Sequence, residues 1–293
     1  MAIPRRTIAE LIMRYRLEPK LKDIYVEGGR DRVRLAALLK SCGCPDNISI
    51  FEVETVSVDS ELLKRYGLTG GNRARVMALA WELERDLMSA PDGLICLADS
   101  DANFVLNNFV ETRYLWFTDY SSLDMYFWNE PALSDAFQIG FGRRYPPGLW
   151  ENICTAATQI FYSRATIEAL GWNLRFIGYE NCLRVTGESI QLDVDKMDRR
   201  LLTANNRIKD LAEFLAMKGR LMAIEIADLR ESMKVEDCLM IVGSYLTRKR
   251  IANKAAGFGN PLVLSGVVFR APDMSVLCGE GLIQRLKAKY GCT

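Results

Sequence analysis

The chain has 293 residues, with 38 Lys and Arg set against 37 Asp and Glu, and it contains no histidine. A net charge of +1 rules out a polycation, so any contact with nucleic acid must use local basic patches. The lack of histidine removes imidazole bases, HExxH metalloproteases and His-ligated zinc, which leaves carboxylates, lysine, tyrosine or an oxygen-ligated metal for any catalysis.

Read in chain order, the first 22 residues form an amphipathic helix ending near Pro19, without the apolar run of a signal peptide. Asp23–Val26 begins a strand that Glu27-Gly28-Gly29 interrupts, and Arg30–Ser41 has the apolar spacing of a helix. Ile48–Val58 reads as a second strand and Ser60–Tyr66 as a short helix. Gly67, Gly70 and Gly71 make a loop, and Asn72–Met88 is a strong helix. Gly93–Ala98 is a continuous apolar run, the mark of a central strand buried on both faces. Tyr114–Thr118 supplies another strand and Ser121–Trp128 a helix.

This alternation predicts an α/β fold, a mostly parallel sheet flanked by helices, over residues 1–130. Residues 131–293 read as a mainly helical region, with a boundary near Pro131 or at Tyr145-Pro146-Pro147-Gly148. Its candidate helices are 150–170, 201–215, 221–231 and 235–255, with 173–194 and 262–270 as possible strands. The run LVLSGVVF near residue 265 is too short to span a bilayer, and a cytoplasmic protein with no membrane contact is expected. Eight scattered cysteines without a CxxC pair are expected to be thiols. Basic patches occur at Arg14–Lys22, Arg30–Arg34, Arg143-Arg144, Arg248–Lys254 and Arg285–Lys289, each more readily a solvated face than a binding site.

Chemistry concentrates at two strand ends. Ile24-Tyr25-Val26-Glu27-Gly28-Gly29-Arg30-Asp31 puts an acid at the carboxyl end of one strand, and Leu94-Ile95-Cys96-Leu97-Ala98-Asp99-Ser100-Asp101 puts two acids at the end of another. Ligands of open α/β sheets gather outside such ends. If the strands are neighbours, Glu27, Asp99 and Asp101 converge, and mutual repulsion calls for a hard cation, Mg²⁺ or Mn²⁺. Such a site suits phosphodiester hydrolysis. Taken singly, Glu27 can be a surface acid and Asp99 and Asp101 helix caps. A second acid-x-acid pair, Asp193-Val194-Asp195, reads as a solvated turn.

The two motifs together, IYVEGGRD and LICLADSD, resemble the signature of Toprim domains. Trp116-Phe117-Thr118-Asp119-Tyr120-Ser121-Ser122-Leu123-Asp124-Met125-Tyr126 is similar to the TDYxxxEN segment of a Toprim-like family related to the OLD nucleases. Motif order and length resemble most the AriB-type effectors of the PARIS anti-phage defence system. The resemblance covers residues 20–130. It implies metal binding by Glu27, Asp99 and Asp101, with Asp124 as a further ligand where the family carries Glu. Arg30, Asp31, Lys218 and Lys249 are the candidate substrate contacts, although an acid favouring the helix dipole is a strong alternative for Asp31 and a surface lysine is the favoured reading of Lys218 and of Lys249. The implied activity is Mg²⁺-dependent cleavage of host tRNA after release from an AriA-like ABC-type ATPase sensor subunit, by a homodimer whose contacts fall in 131–293. A Toprim DNA endonuclease and a catalytically inert adaptor bound to the ATPase are the alternatives. Tyr114, Trp116, Tyr120, Tyr126, Phe127 and Trp128 are either stacking platforms for unpaired bases or a buried wall, the second being favoured.

Overall fold

The structure is a computed structural model that describes residues 5–87, 91–110, 112–251, 261–269 and 274–292. The chain forms two compact units, one of Met1–Ser100, Phe109–Asp119 and Asp273–Thr293, the other of Asp101–Asn108 and Tyr120–Pro272. Neither unit is contiguous in sequence. The expected division at residue 130 is therefore replaced by one in which the last segment belongs with the sheet.

The first unit is α/β, as expected. Its elements are β1 (Arg6–Thr7), α1 (Ile8–Leu17), β2 (Lys22–Val26), α2 (Gly29–Ser41), β3 (Ile48–Glu52), β4 (Val56–Ser57), α3 (Ser60–Arg65), α4 (Asn72–Asp86), β5 (Leu94–Ala98) and β6 (Leu115–Phe117). Four strands make a parallel sheet in the order β3-β2-β5-β6, and β1 pairs separately with β4. The chain leaves β2 outward to β3 and then returns past β2 to β5. With one crossover handedness, that reversal puts α2 and α4 on opposite faces and opens a crevice between β2 and β5 at their carboxyl ends.

On one face, Leu11 and Tyr15 of α1 and Val76, Leu79 and Leu83 of α4 share a core with Tyr25, Leu94, Cys96 and Phe117. Tyr25 and Cys96 are register partners, so the period-two pleat directs both to the same side. Ile24, Val26, Ile95 and Leu97 occupy the other face and are equally buried. Gly93 precedes β5 because a Cβ there would strike the Leu21 carbonyl oxygen, and its own carbonyl accepts the Asp23 N–H at 3.0 Å. The sequence motif ISIFEVETVSV is not one strand. A 3₁₀ turn over Val53–Thr55 separates β3 from β4.

The C-terminal helix Gly281–Tyr290 is held to this unit by polar contacts and by covalent bonds. Tyr290 donates its hydroxyl to the Gly93 carbonyl at 3.1 Å, and Lys22 Nζ donates to the Tyr290 carbonyl at 3.0 Å. Cys42 is bonded to Cys278 and Cys44 to Cys292, with Cα separations of 5.4 and 4.4 Å. This corrects the expectation of eight thiols. Cys96, Cys154, Cys182 and Cys238 are buried thiols as anticipated.

The second unit is mainly helical, as expected, with Leu149–Ala169, Val194–Ala204, Leu211–Met222 and Val235–Arg248 as its longer helices. The strand-forming stretch 173–194 yields an antiparallel hairpin, β7 (Leu183–Thr186) and β8 (Ser189–Leu192), which turns at Gly187 with φ +57°. The helix expected over 201–215 is two helices, broken where Asn206 takes a left-handed φ of +57°, a conformation asparagine tolerates. Asp193 is an N-cap whose carboxylate accepts the Lys196 N–H at 3.2 Å. Helix 221–231 is reduced to a 3₁₀ turn at Leu229–Ser232, and helix 121–128 to one at Leu123–Phe127. Residues 262–270 were read as a strand, yet Pro261–Val268 is a helix with proline at its first position, where no N–H is needed. Residues 252–255 of the expected 235–255 helix lie outside the described residues. Among the described residues no helix is long and apolar enough to cross a membrane.

The disulfides close loops across 236 and 248 residues, so they restrict the unfolded chain strongly. Cys278→Ser is expected to lower the free energy of unfolding in urea by about 2–4 kcal/mol. With reductant added to both, the parent and the variant should converge at a lower stability, since reduction also opens Cys44–Cys292.

Candidate functional site

Glu27 and Asp99 meet as the two sequence motifs require. Each follows its strand directly, and β2 and β5 are parallel with Tyr25 opposite Cys96. Two residues further along, this register sets Glu27 beside Ala98, one position before Asp99. Glu27 Oε1 accepts the Asp99 backbone N–H at 2.9 Å. The carboxylate of one strand end thus holds the backbone of the next.

The first turn of α4 clasps both ends. Asn72 Nδ2 donates to the Glu27 carbonyl at 2.8 Å, and Arg73 Nε donates to the Asp99 carbonyl at 2.9 Å. Gly71, the residue before this helix, has φ +117°, which a side chain would oppose. Asn72 and Arg73 were not among the candidates. Their only sequence signal was a position immediately after Gly70-Gly71 at the start of a strong helix. Thr118 adds to the support, because its Oγ1 accepts the Ser100 N–H at 3.0 Å. Asp119 accepts the Leu282 N–H and lies 3.2 Å from Arg285 Nη2, so within the TDY segment this acid secures the C-terminal helix.

Asp31 caps α2. Its Oδ2 accepts the Gly28 N–H at 3.0 Å and fixes the turn of the EGG motif. Arg30 stands exposed in the same helical turn.

The remaining candidates belong to the second unit. Asp101 has φ +46°, donates its N–H to the Ser121 carbonyl at 2.8 Å, and pairs with Lys234 Nζ at 2.8 Å. Burial works against the Lys234 charge, but the Asp101 carboxylate overcomes it and holds the ammonium above its ordinary pKa. Asp124 is buried in the Leu123–Phe127 turn. Lys249 is exposed and donates to the Gly187 carbonyl at 3.1 Å.

Lys218 is 4% exposed, and its Nζ lies 2.8 Å from Asp198 Oδ2 and 2.9 Å from Ser163 Oγ. Ser163 in turn donates to Asp198 Oδ1 at 2.7 Å. Burial lowers the lysine pKa and Asp198 opposes the shift. Lys218 is therefore not a surface lysine but part of a closed, buried polar cluster.

Of the six aromatic candidates, Tyr114, Tyr120, Tyr126, Phe127 and Trp128 are buried, as the wall reading anticipates. Trp116 alone is half-buried, with Arg285 and Lys289 each 5.3 Å from its ring centre. Arg230 lies 3.7 Å over the Tyr120 ring.

Among the described residues, no three Asp, Glu or Cys side chains gather closely enough to form a ready metal cage. Compared with known proteins, the chain matches no family model and no curated sequence.

Lys218→Met should destabilise the protein by about 3–5 kcal/mol in chemical denaturation, because it leaves the Asp198 charge buried without its partner. The double substitution with Asp198→Asn should recover part of that loss. Asp31→Ala is expected to cost about 1 kcal/mol by the same measurement, through loss of the cap.

Proposed function

We propose that the chain is a metal-dependent nuclease of the Toprim kind, acting as the effector of an anti-phage system and cutting host tRNA. The observation that carries this reading is the bond between Glu27 and the Asp99 backbone, which holds two acidic strand ends together at the sheet's switch point.

The donor set suits Mg²⁺ or Mn²⁺. Both ions prefer hard oxygens, and Mg²⁺ is commonly held by one or two protein carboxylates plus substrate phosphate. Glu27 and Asp99 are the residues that would hold it, and Asp101 is added by the motif resemblance alone. When bound, the ion supplies charge stabilisation for in-line displacement at a phosphodiester. The protein's own part is positional. Asn72 and Arg73 fix the backbones that carry the two acids, so the carboxylates need little reorganisation when a phosphate arrives.

The tRNA substrate, the ABC-type ATPase partner and an active homodimer all follow from the motif resemblance. They assign the protein to the cytoplasm, where a reducing glutathione pool would keep Cys42, Cys44, Cys278 and Cys292 as packed thiols. The Asp101–Lys234 ion pair favours a second reading, an adaptor that has given up catalysis.

Glu27→Gln tests the assignment, since the amide oxygen still accepts the Asp99 N–H and the fold is kept. The parent protein should cleave total tRNA when Mg²⁺ is added, leaving discrete ends on sequencing, and EDTA should abolish cutting. Glu27→Gln should reduce the rate roughly a hundredfold or more. Cleavage of plasmid in preference to tRNA would favour the DNA endonuclease. Inertness of the parent toward both would favour the adaptor.

A further inference from the structure

Away from the acidic strand ends, the first unit contains a cleft of about 590 Å³ lined by Arg5, Arg6, Glu10, Arg14, Tyr25, Phe51, Thr55 and Val56. That is ample for a small organic ligand. Its walls are the β1–β4 pair, with Arg6 opposite Val56, together with α1 and the ends of β2 and β3.

The charges in the cleft are unevenly matched. Arg14 Nη1 lies 2.9 Å from Asp23 Oδ2, so this cation is answered from below. Glu10 closes a capping box, accepting the Thr7 N–H at 2.6 Å and the Thr7 hydroxyl at 3.0 Å. Those bonds hold its carboxyl below the ordinary pKa, so it stays ionised. Arg5 and Arg6 are exposed and make no ion pair among the described residues. Two guanidiniums thus line the mouth without a direct ion pair among the described residues, Arg6 being balanced at longer range by Glu10 and Asp23. Guanidinium is the group best matched to phosphate, through its planar fork of donors.

An aromatic wall completes the cleft. Phe51 is half-buried and stacks on Tyr25, with ring centres 5.5 Å apart and planes inclined by 27°. Arg6 and Arg14 lie 5.8 and 5.9 Å from the Phe51 ring centre. The floor is rigid: the Tyr15 hydroxyl donates to Asp23 at 2.9 Å and sits 3.0 Å from the Tyr25 hydroxyl. Burial raises the Tyr25 hydroxyl to about 12, so it remains neutral. A face for a planar ring beside a pair of phosphate-binding cations is the recognition chemistry of a nucleotide.

We propose that this cleft binds a nucleoside monophosphate, either free or as the phosphorylated end of a strand, with the phosphate on Arg5 and Arg6 and the base against Phe51. The proposal does not depend on the carboxylate site, and the experiment runs in EDTA so that the two stand or fall separately.

Titration calorimetry on the full chain should detect AMP binding, with adenosine and inorganic phosphate each at least about tenfold weaker. Arg6→Ala should weaken AMP binding about tenfold or more with little change in the melting temperature, since Arg6 is exposed and makes no direct ion pair among the described residues. Phe51→Leu should weaken it about fivefold through lost stacking. A 5′-phosphorylated oligonucleotide binding better than AMP, with its 5′-hydroxyl counterpart weak, identifies the source as a strand end. The reverse identifies a free nucleotide. Failure to bind AMP, equal affinity for inorganic phosphate, or unchanged affinity in both variants would overturn the proposal.

Discussion

A carboxylate that accepts a backbone N–H from the neighbouring strand is a demanding arrangement, and the geometry of the first unit answers to it. Glu27 reaches the Asp99 N–H because β2 and β5 run parallel in one register. A slip of one residue would turn the side chains of either strand to the opposite face. The register is held from below by the alternation of Ile24 and Ile95 on one side with Tyr25 and Cys96 on the other, all buried. From above it is held by Asn72 and Arg73, which grip the two strand ends by their carbonyls. The same contact that brings the acids together also occupies one Glu27 oxygen.

Burial assigns the remaining charged candidates. Lys218 and Asp198 lie in a cluster closed by Ser163, where every charge has a hydrogen-bonding partner, and such a cluster resists loss of any member. Asp101 meets Lys234 in partly exposed surroundings, where an ion pair is worth less and can exchange partners more cheaply. Asp31 and Asp193 serve as helix caps. Acids of similar appearance in the sequence therefore do different work, and the difference lies in what surrounds them.

Legibility followed the range of the interactions. The parallel sheet was readable because LICLA is apolar throughout and IYV ends in EGG, both local signals. The meeting of Glu27 and Asp99 was readable only on condition that their strands are neighbours, which the order of elements leaves open and the sheet order β3-β2-β5-β6 supplies. The helix break at Asn206 hid in a periodic pattern that continues on either side of it. Lys218 gave no sign of burial, since its partners Ser163 and Asp198 lie on other helices. The bonds of Cys42 and Cys44 reach residues 236 and 248 positions away, a separation at which spacing carries no information. Asn72 and Arg73 act through their positions at the head of α4, and residue type alone does not distinguish them from other polar residues at helix starts.

The pairing of Cys42 with Cys278 has a topological outcome. The whole second unit lies on the stretch between these two cysteines, so while the bond is intact that stretch is a closed ring with short tails. A protease that nicks a loop anywhere within it opens the ring without releasing a fragment. The two pieces migrate as one molecule on a denaturing gel until a thiol is added. An oxidised molecule can accordingly be clipped in its helical part and still travel as an undivided particle.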